Sequence, residues 1–372
     1  MKKFIIIFCT ALTICLISTV NVSAEEIEST YDFSAVYNSL SPEARQSLVN
    51  IGVDSPNAEK LSGISFESVT NEIIRTASEN VKSPLKGLVS IIGILLLCSL
   101  LSTYKNTLSD NVSVTINIVS SLCITCAVAM PAISAINSAS SVIDTSTNLM
   151  LAYIPIIAAV MAASGQAVSS GSYYAAMIAV GESVGQLSSK VIVPFLDMFL
   201  GLSITASVTP DLNLSGFTNI IAKIIKWILG FSMTVFTAVL SIKQLISSSL
   251  DGVSVRAVRF ALTSFVPVVG AALSDAYRTV QGSVSLLKSG MGIFVILAIG
   301  FAFLPVLLQC FMWVASLWIG KSVADIMNLT QTSTLLQGVS TVFTTLIAVL
   351  LCIMSIYLIS SAVVLIIGGG GA

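Results

Sequence analysis

The sequence contains no histidine, and only 9% of its 372 residues are charged. Without histidine the chain lacks the most frequent general base and the commonest metal ligand of proteins. Soluble domains average about a quarter charged residues, so water cannot be the solvent for most of this chain. The formal net charge is −1 and no basic run occurs, which leaves nucleic-acid binding without an electrostatic basis.

Cysteine chemistry is equally limited. Two of the seven cysteines lie near the N-terminus, and the other five lie in apolar runs: Cys98, Cys123, Cys126, Cys310 and Cys352. Cys123 and Cys126 have the spacing of half a metal site, but no second pair completes it, and buried apolar cysteine is the alternative. Phosphate-binding loops, nucleophile elbows and kinase signatures are also missing. The sequence therefore predicts no enzyme, no metal and no cofactor.

Long apolar runs dominate what is present, since 55% of the residues are hydrophobic. Six runs are long enough to cross a bilayer: residues 85–104, 114–136, 191–208, 220–242, 291–319 and 339–367. Three further runs are short or weak: residues 149–163, 173–187 and 258–273. We expect an all-α, polytopic helical membrane protein.

The N-terminus is typical of an exported chain. Lys2 and Lys3 precede an apolar stretch and a small-residue cleavage site at residues 22–24. Residues 1–24 are therefore predicted to be a signal peptide, with an uncleaved anchor as the alternative.

An acidic segment follows the leader. Residues 25–84 are predicted to form an extracytoplasmic helical segment, in which an amphipathic helix containing Phe66 ends before Pro84. The polytopic membrane domain is assigned to residues 85–367 and a flexible tail to residues 368–372.

The positions of lysine and arginine predict the number of crossings. If the N-terminal segment is outside and the weak runs only dip into the membrane, five basic residues also lie outside, against the positive-inside rule: Lys243, Arg256, Arg259, Arg278 and Lys288. One more crossing between residues 136 and 191 returns them to the cytoplasm. The sequence then predicts about seven spans and a cytoplasmic C-terminus, with six and eight as alternatives.

Two proline-containing segments resemble each other. Residues 153–159, YIPIIAA, align without a gap to residues 265–271, FVPVVGA. Interrupted apolar segments at matching places are typical of repeat-built membrane proteins with a site at mid-depth. We expect repeat-like halves at residues 114–209 and 220–320, with chance similarity as the alternative. With the crossings predicted above, the first span of each half runs in the opposite direction, which would make the repeats inverted. Short re-entrant helices are predicted to break at four prolines: Pro155, Pro194, Pro267 and Pro305.

Charged residues in or beside apolar runs are the candidate functional residues, because a charge at a helix centre costs about 2.5–3.5 kcal/mol on insertion scales. The candidates for a polar pathway are Glu182, Lys190, Asp197, Asp275 and Arg278. The candidates for a cytoplasmic docking surface are Arg256, Arg259 and Lys288. Ion pairs that only hold the helices together, and charges that only retain a loop inside, are the alternatives.

Two stretches carry a family resemblance. Residues 149–165, LMLAYIPIIAAVMAASG, and residues 256–293, RAVRFALTSFVPVVGAALSDAYRTVQGSVSLLKSGMGI, resemble the stage III sporulation protein AE family of endospore-forming bacteria. The order of leader, acidic segment and polytopic region also fits, so the resemblance covers essentially the whole chain. Its motifs are structural, and no catalytic residues carry over.

The resemblance implies a role in endospore development, in a multi-pass protein of the mother-cell-derived outer forespore membrane. The implied partners are other stage III A proteins, including the AA ATPase and ring-forming members, together with stage II sporulation protein Q and the lipid bilayer. Within a transenvelope channel complex the chain would form a permease-like conduit or a scaffold for the rings and the ATPase. Outside the family, a stand-alone secondary transporter of a small solute is the alternative.

Overall fold

A computed structural model describes residues 34–53, 63–103, 110–208, 220–243, 251 and 270–369. Its secondary structure within those ranges is helical and without strands, which confirms the all-α prediction. The helices are α1 (Ser34–Asn38), α2 (Pro42–Asn50), α3 (Phe66–Thr103), α4 (Asp110–Ala163), α5 (Ala167–Leu187), α6 (Val193–Val208), α7 (Ile220–Lys243), α8 (Gly270–Ile326) and α9 (Thr330–Gly369). A π-helical turn, Ser188–Ile192, joins α5 to α6.

Helices α2, α4 and α8 end in the same hydrogen-bonded motif. After α4, the N–H groups of Gly165 and Gln166 donate back to carbonyls of the last turn at 3.0 and 3.1 Å. Gly165 has φ 84°, a left-handed conformation that glycine adopts at little cost. Gly52 (φ 86°) and Asn328 (φ 56°) take the same position after α2 and α8. These ends reverse the chain, and they create the hairpins α4–α5 and α8–α9.

The α8–α9 hairpin forms the centre of the molecule. Trp313 stacks on Phe343 with ring centroids 6.0 Å apart. Nearer the turn between the helices, Lys321 Nζ donates to Gln337 Oε1 at 3.0 Å. At the other end, Gly292 packs against the Leu365 side chain, because a glycine lets the helices approach closely. These contacts show that the two helices run antiparallel along their length.

The α4–α5 hairpin packs in the same way beside it. Gly181 lies against Leu151, and Ser170 Oγ donates to the Ala158 carbonyl at 2.6 Å. Small residues on α5 therefore allow close contact with α4. The hairpin contacts α8 and α9, and most apolar side chains between the hairpins are buried.

Helix α3 does not end before Pro84, so that boundary prediction was wrong. The helix continues to Thr103. After the proline it packs on α8, where Ser316 Oγ donates to the Pro84 carbonyl at 3.3 Å and Gly87 lies against Trp313. A proline removes one helical hydrogen bond, and these contacts with α8 stabilise the helix across it.

Residues 114–136 and 149–163 belong to one helix, so the prediction of a separate re-entrant segment at Pro155 was wrong. Helix α4 has 54 residues and is about 81 Å long. Pro155 and Pro305 lie inside continuous helices, since bundle neighbours compensate the hydrogen bond that each proline removes.

The other two prolines differ from these. Pro194 follows the π turn directly, in a helical segment that runs without a break from α5 through the π turn into α6, and a π turn is one of the places where a helix accommodates a local change in its hydrogen bonds. Pro267 lies outside the described residues, as do Arg256, Arg259 and the predicted signal peptide.

The predicted halves differ locally in secondary structure. The chain turns at residues 164–166 between α4 and α5, whereas the aligned residues 276–278 lie inside α8. Over this stretch the two predicted halves therefore differ in structure. Whether they share a fold elsewhere stays a prediction. Within the described ranges, α3, α4, α7, α8 and α9 are long and apolar enough to cross a bilayer. The crossing number also stays a prediction.

Candidate functional site

Three of the predicted pathway residues lie on the outer surface of the bundle. Glu182, Lys190 and Asp197 are all exposed, on α5, the π turn and α6. Their separations of eight and seven residues are close to two helical turns each, which places them on one face. Apolar side chains on the same segment are exposed beside them, including Met198 at 56%. We call Glu182, Lys190 and Asp197 the charged stripe.

The remaining predicted residues are distributed differently. Asp275 and Arg278 lie in the first part of α8, three residues apart, a spacing that places two positions on neighbouring parts of one helix face. Lys288 was predicted to belong to a docking surface, and this was wrong. Its side chain is 1% exposed and points into the bundle, where a glutamine accepts a hydrogen bond from it.

Lys288 belongs to a buried cluster that sequence reasoning missed. The cluster lies where α4 ends and α5 begins, and its hydrogen bonds join residues that are 82 to 122 positions apart in the chain. We call it the polar junction, and it comprises Gln166, Asp251, Lys288 and the first turn of α5.

Asp251 caps α5 from a distant part of the chain. Its carboxylate oxygens accept hydrogen bonds from the backbone N–H groups of Val168 at 3.0 Å and Ser169 at 2.8 Å. The first N–H groups of a helix have no partner within that helix, and they concentrate positive potential there. Asp251 is 4% exposed, so the helix end supplies hydrogen bonds that water would otherwise give the carboxylate.

Lys288 of α8 reaches the same turn from the other side. Its Nζ donates to Gln166 Oε1 at 3.1 Å. Since a buried amine needs hydrogen-bond acceptors, Gln166 compensates part of the cost of burying it. The turn between α4 and α5 is thus held both by Asp251 and by α8.

A layer of hydroxyl groups lies between α4, α5 and α9, away from the turn that joins α4 to α5. Thr147 Oγ1 donates to the Ile143 carbonyl at 2.8 Å, so the 2.6 Å contact with the Tyr357 hydroxyl is one that Tyr357 donates. Tyr173 donates to the Ser360 carbonyl at 3.3 Å.

Three buried hydroxyl groups of this region have no hydrogen-bond partner among the residues that the structure describes: those of Ser146, Tyr153 and Ser169. Buried hydroxyls are usually paired with protein or ordered water. The layer therefore has capacity for bound water, and its other hydrogen bonds hold α4 and α5 to α9.

The chemistry of these groups is structural. Within the described ranges, no three metal-ligating side chains of the His, Cys, Asp or Glu types come together. The polar junction offers one carboxylate, one amine and one amide, each engaged in fixing a helix end. The arrangement stabilises the contact between the two hairpins.

Long apolar helices around a core tied by buried hydrogen bonds define a class: an α-helical membrane protein. The sequence profile described as "Stage III sporulation protein AE" matches residues 56–368, so the chain belongs to that family and is a sporulation protein. Residues of this chain are also 31% identical over 159 positions to the Stage III sporulation protein AE of Bacillus subtilis (strain 168). That alignment covers 43% of this chain and 40% of the relative, so the chain spans about two fifths of the length of the relative it matches. No solved structure matches the chain.

Proposed function

We propose that the chain is an integral membrane subunit of the transenvelope channel complex between mother cell and forespore, and that it acts as a platform for its partners. Its place would be the outer forespore membrane, with the N-terminal segment outside the cytoplasm. Membership in the stage III A group, which the family name implies, supports this.

The observation that carries the proposal is the charged stripe. Exposed charges among apolar helices are costly in lipid, and such groups usually face a cavity or a partner. Glu182 and Asp197 have no hydrogen-bond or ion-pair partner in the described part of the chain, and Lys190 has only a long contact of 3.5 Å with Gln186. Another subunit of the complex would therefore cover the stripe.

The packed interior favours a platform over a conduit within one chain. The predicted pathway residues whose side chains are described do not converge inside the bundle, and large apolar side chains fill the space between the two hairpins. A conduit remains the second candidate, and the same stripe supports it: the path would run between subunits, with the stripe as one wall.

The cytoplasmic side of the proposal rests on Arg256 and Arg259. These residues would form part of the docking surface for the AA ATPase, because their charge suits an inward-facing loop. The ring-forming stage III A proteins and stage II sporulation protein Q would assemble on the opposite side of the membrane.

The test is substitution of the stripe in sporulating cells. We expect Glu182→Gln and Asp197→Asn to reduce co-purification with the stage III A partners and, with it, the yield of mature spores. Lys223→Gln is the control, since Lys223 is also exposed but lies on α7.

Two outcomes would change the interpretation. Normal assembly with failed spore maturation would favour the conduit over the platform. Normal assembly together with normal maturation in both variants would overturn the role assigned to the stripe.

A further inference from the structure

A polar cavity of about 500 Å³ opens between α7, α8 and α9, near the turn that joins α8 to α9. Lys226 and Lys321 line it, together with Asp325. Lys226 is exposed, and Lys321 uses one of its three N–H donors on Gln337. The two amines and one carboxylate leave one net positive charge in the cavity, which suits an anion with a single charge.

Hydroxyl groups add to this polar lining. Ser322, Thr341 and Thr344 line the cavity, and each donates its hydroxyl hydrogen to a carbonyl of its own helix. Their oxygens remain acceptors, so they can receive hydrogen bonds from a hydroxylated headgroup. Because these hydroxyl hydrogens are already donated within the helices, the lysines are the groups of the cavity that attract a phosphate.

A second cavity of about 430 Å³ lies next to the first along α7 and α9. It lies between α5, α7 and α9, and its lining includes Leu229, Phe236, Leu240 and Ile353. Its lining is mostly apolar, with Ser183 and Lys243 among the few polar side chains.

The two cavities form a series along α7 and α9. On α7, Lys226 of the polar cavity precedes Leu229 of the apolar cavity by about 4.5 Å of helix. On α9, Thr344 and Cys352 are separated by about 12 Å. A ligand that occupied both would be charged at one end and apolar over the rest of its length.

Exposed tryptophans mark the polar end. Trp318 lines the polar cavity and is 58% exposed, and Trp227, next to Lys226, is 71% exposed. Tryptophan is enriched where the membrane meets water, which predicts that the polar cavity lies at headgroup level and the apolar cavity in the hydrocarbon region. From these observations we propose that an anionic phospholipid binds along α7 and α9, with its phosphate between Lys226 and Lys321 and an acyl chain in the apolar cavity.

The headgroup is tested on the full chain, purified in detergent and depleted of lipid. Lipid retention is measured by native mass spectrometry during titration with phosphatidylglycerol, and with phosphatidylcholine as the zwitterionic probe. We expect tighter binding of phosphatidylglycerol, weakened by salt. Lys226→Gln and Lys321→Gln should each reduce its affinity about fivefold, whereas Lys223→Gln, outside the cavity on the same helix, should not.

The acyl chain is tested separately. Ala179 is exposed and lines the apolar cavity, so Ala179→Phe should fill it without disturbing the core and should lower the affinity for phosphatidylglycerol. Ala238→Phe is the control, since Ala238 is exposed on α7 away from the cavity.

Three results would overturn the inference. Equal affinities for the two lipids would remove the headgroup site, and equal loss in the Lys223→Gln control would reduce it to surface charge. Displacement of the lipid by an equimolar amount of inorganic phosphate would identify a free anion as the ligand. The lipid site does not depend on the sporulation role, because the binding assay contains no partner.

Discussion

Replacing Asp251 tests whether the polar junction holds the two hairpins together. In Asp251→Ala, the N–H groups of Val168 and Ser169 lose their acceptor, and water has little access to a site whose capping residue is 4% exposed. In Asp251→Asn, one acceptor oxygen remains but the negative charge at the helix end is lost. The two variants therefore separate the hydrogen bonds from the charge.

The expected magnitudes follow from the cap geometry. Loss of a capping side chain costs about 0.5–2 kcal/mol, and loss of a favourable charge at a partly buried helix end costs about 1 to 2 kcal/mol more. Asp251→Ala should thus lower the free energy of unfolding by about 2 to 3 kcal/mol, and Asp251→Asn by about half as much. For a chain of 372 residues, the larger loss corresponds to a fall of about 3 °C in the unfolding midpoint.

The assay is thermal unfolding of the purified chain in detergent, followed by circular dichroism. Asp197→Ala is the control, because it removes an exposed carboxylate without touching a helix end. If Asp251→Ala unfolds within 0.5 °C of the unchanged chain, or if Asp251→Asn is the less stable of the two, then Asp251 does not act as the cap of α5.

The remaining predictions concern close contacts in the core, and the same unfolding assay measures both. Gly87→Ala should destabilise the chain by about 1–3 kcal/mol, because a Cβ there overlaps the ring of Trp313. The control is Gly93→Ala in the same helix, where a Cβ would have no neighbouring atom within 4 Å, and this variant should be as stable as the unchanged chain or more stable by up to about 1 kcal/mol. Equal losses at both positions would contradict this packing. Thr147→Val should cost about 1–3 kcal/mol, because it leaves the buried Tyr357 hydroxyl without its acceptor. Tyr357→Phe should cost less, because Thr147 keeps its bond to the Ile143 carbonyl, and a larger loss in Tyr357→Phe would refute the assigned direction of that hydrogen bond.

Local hydrophobicity predicted the fold class and the long apolar helices, because a spanning helix needs only a sufficient run of apolar residues. It did not predict where helices continue. Residues 137–148 are rich in serine and threonine, and local propensity gives them no strong helical signal. They nevertheless form the middle of α4, where Ile143 and Thr147 are buried against neighbouring helices. The same holds at Pro84, where contacts with α8 outweigh the proline.

The polar junction could not be predicted for a related reason. Asp251 and the first turn of α5 are about 80 residues apart, and nothing in either stretch indicates the other. The positive-inside rule predicted that Lys288 lies near the cytoplasm. That rule does not say whether a side chain points outward or into the bundle. A partial signal existed: Gly165 after a long apolar run is typical of a helix end, and a helix end needs a cap for the helix that follows.

Two sets of charges in the described part of the chain differ in where their partners lie. Asp251 and Lys288 are buried and have hydrogen-bond partners within the chain, a helix end for Asp251 and Gln166 for Lys288. The charged stripe is exposed, and in the described part of the chain its one hydrogen-bond contact is the long one between Lys190 and Gln186. Because a charge without a partner is costly in a membrane, the first group should govern the stability of the isolated protein and the second its assembly. Substitutions in the two groups should therefore separate in experiment, with Asp251→Ala measurable in the purified chain and Glu182→Gln measurable only in the complex.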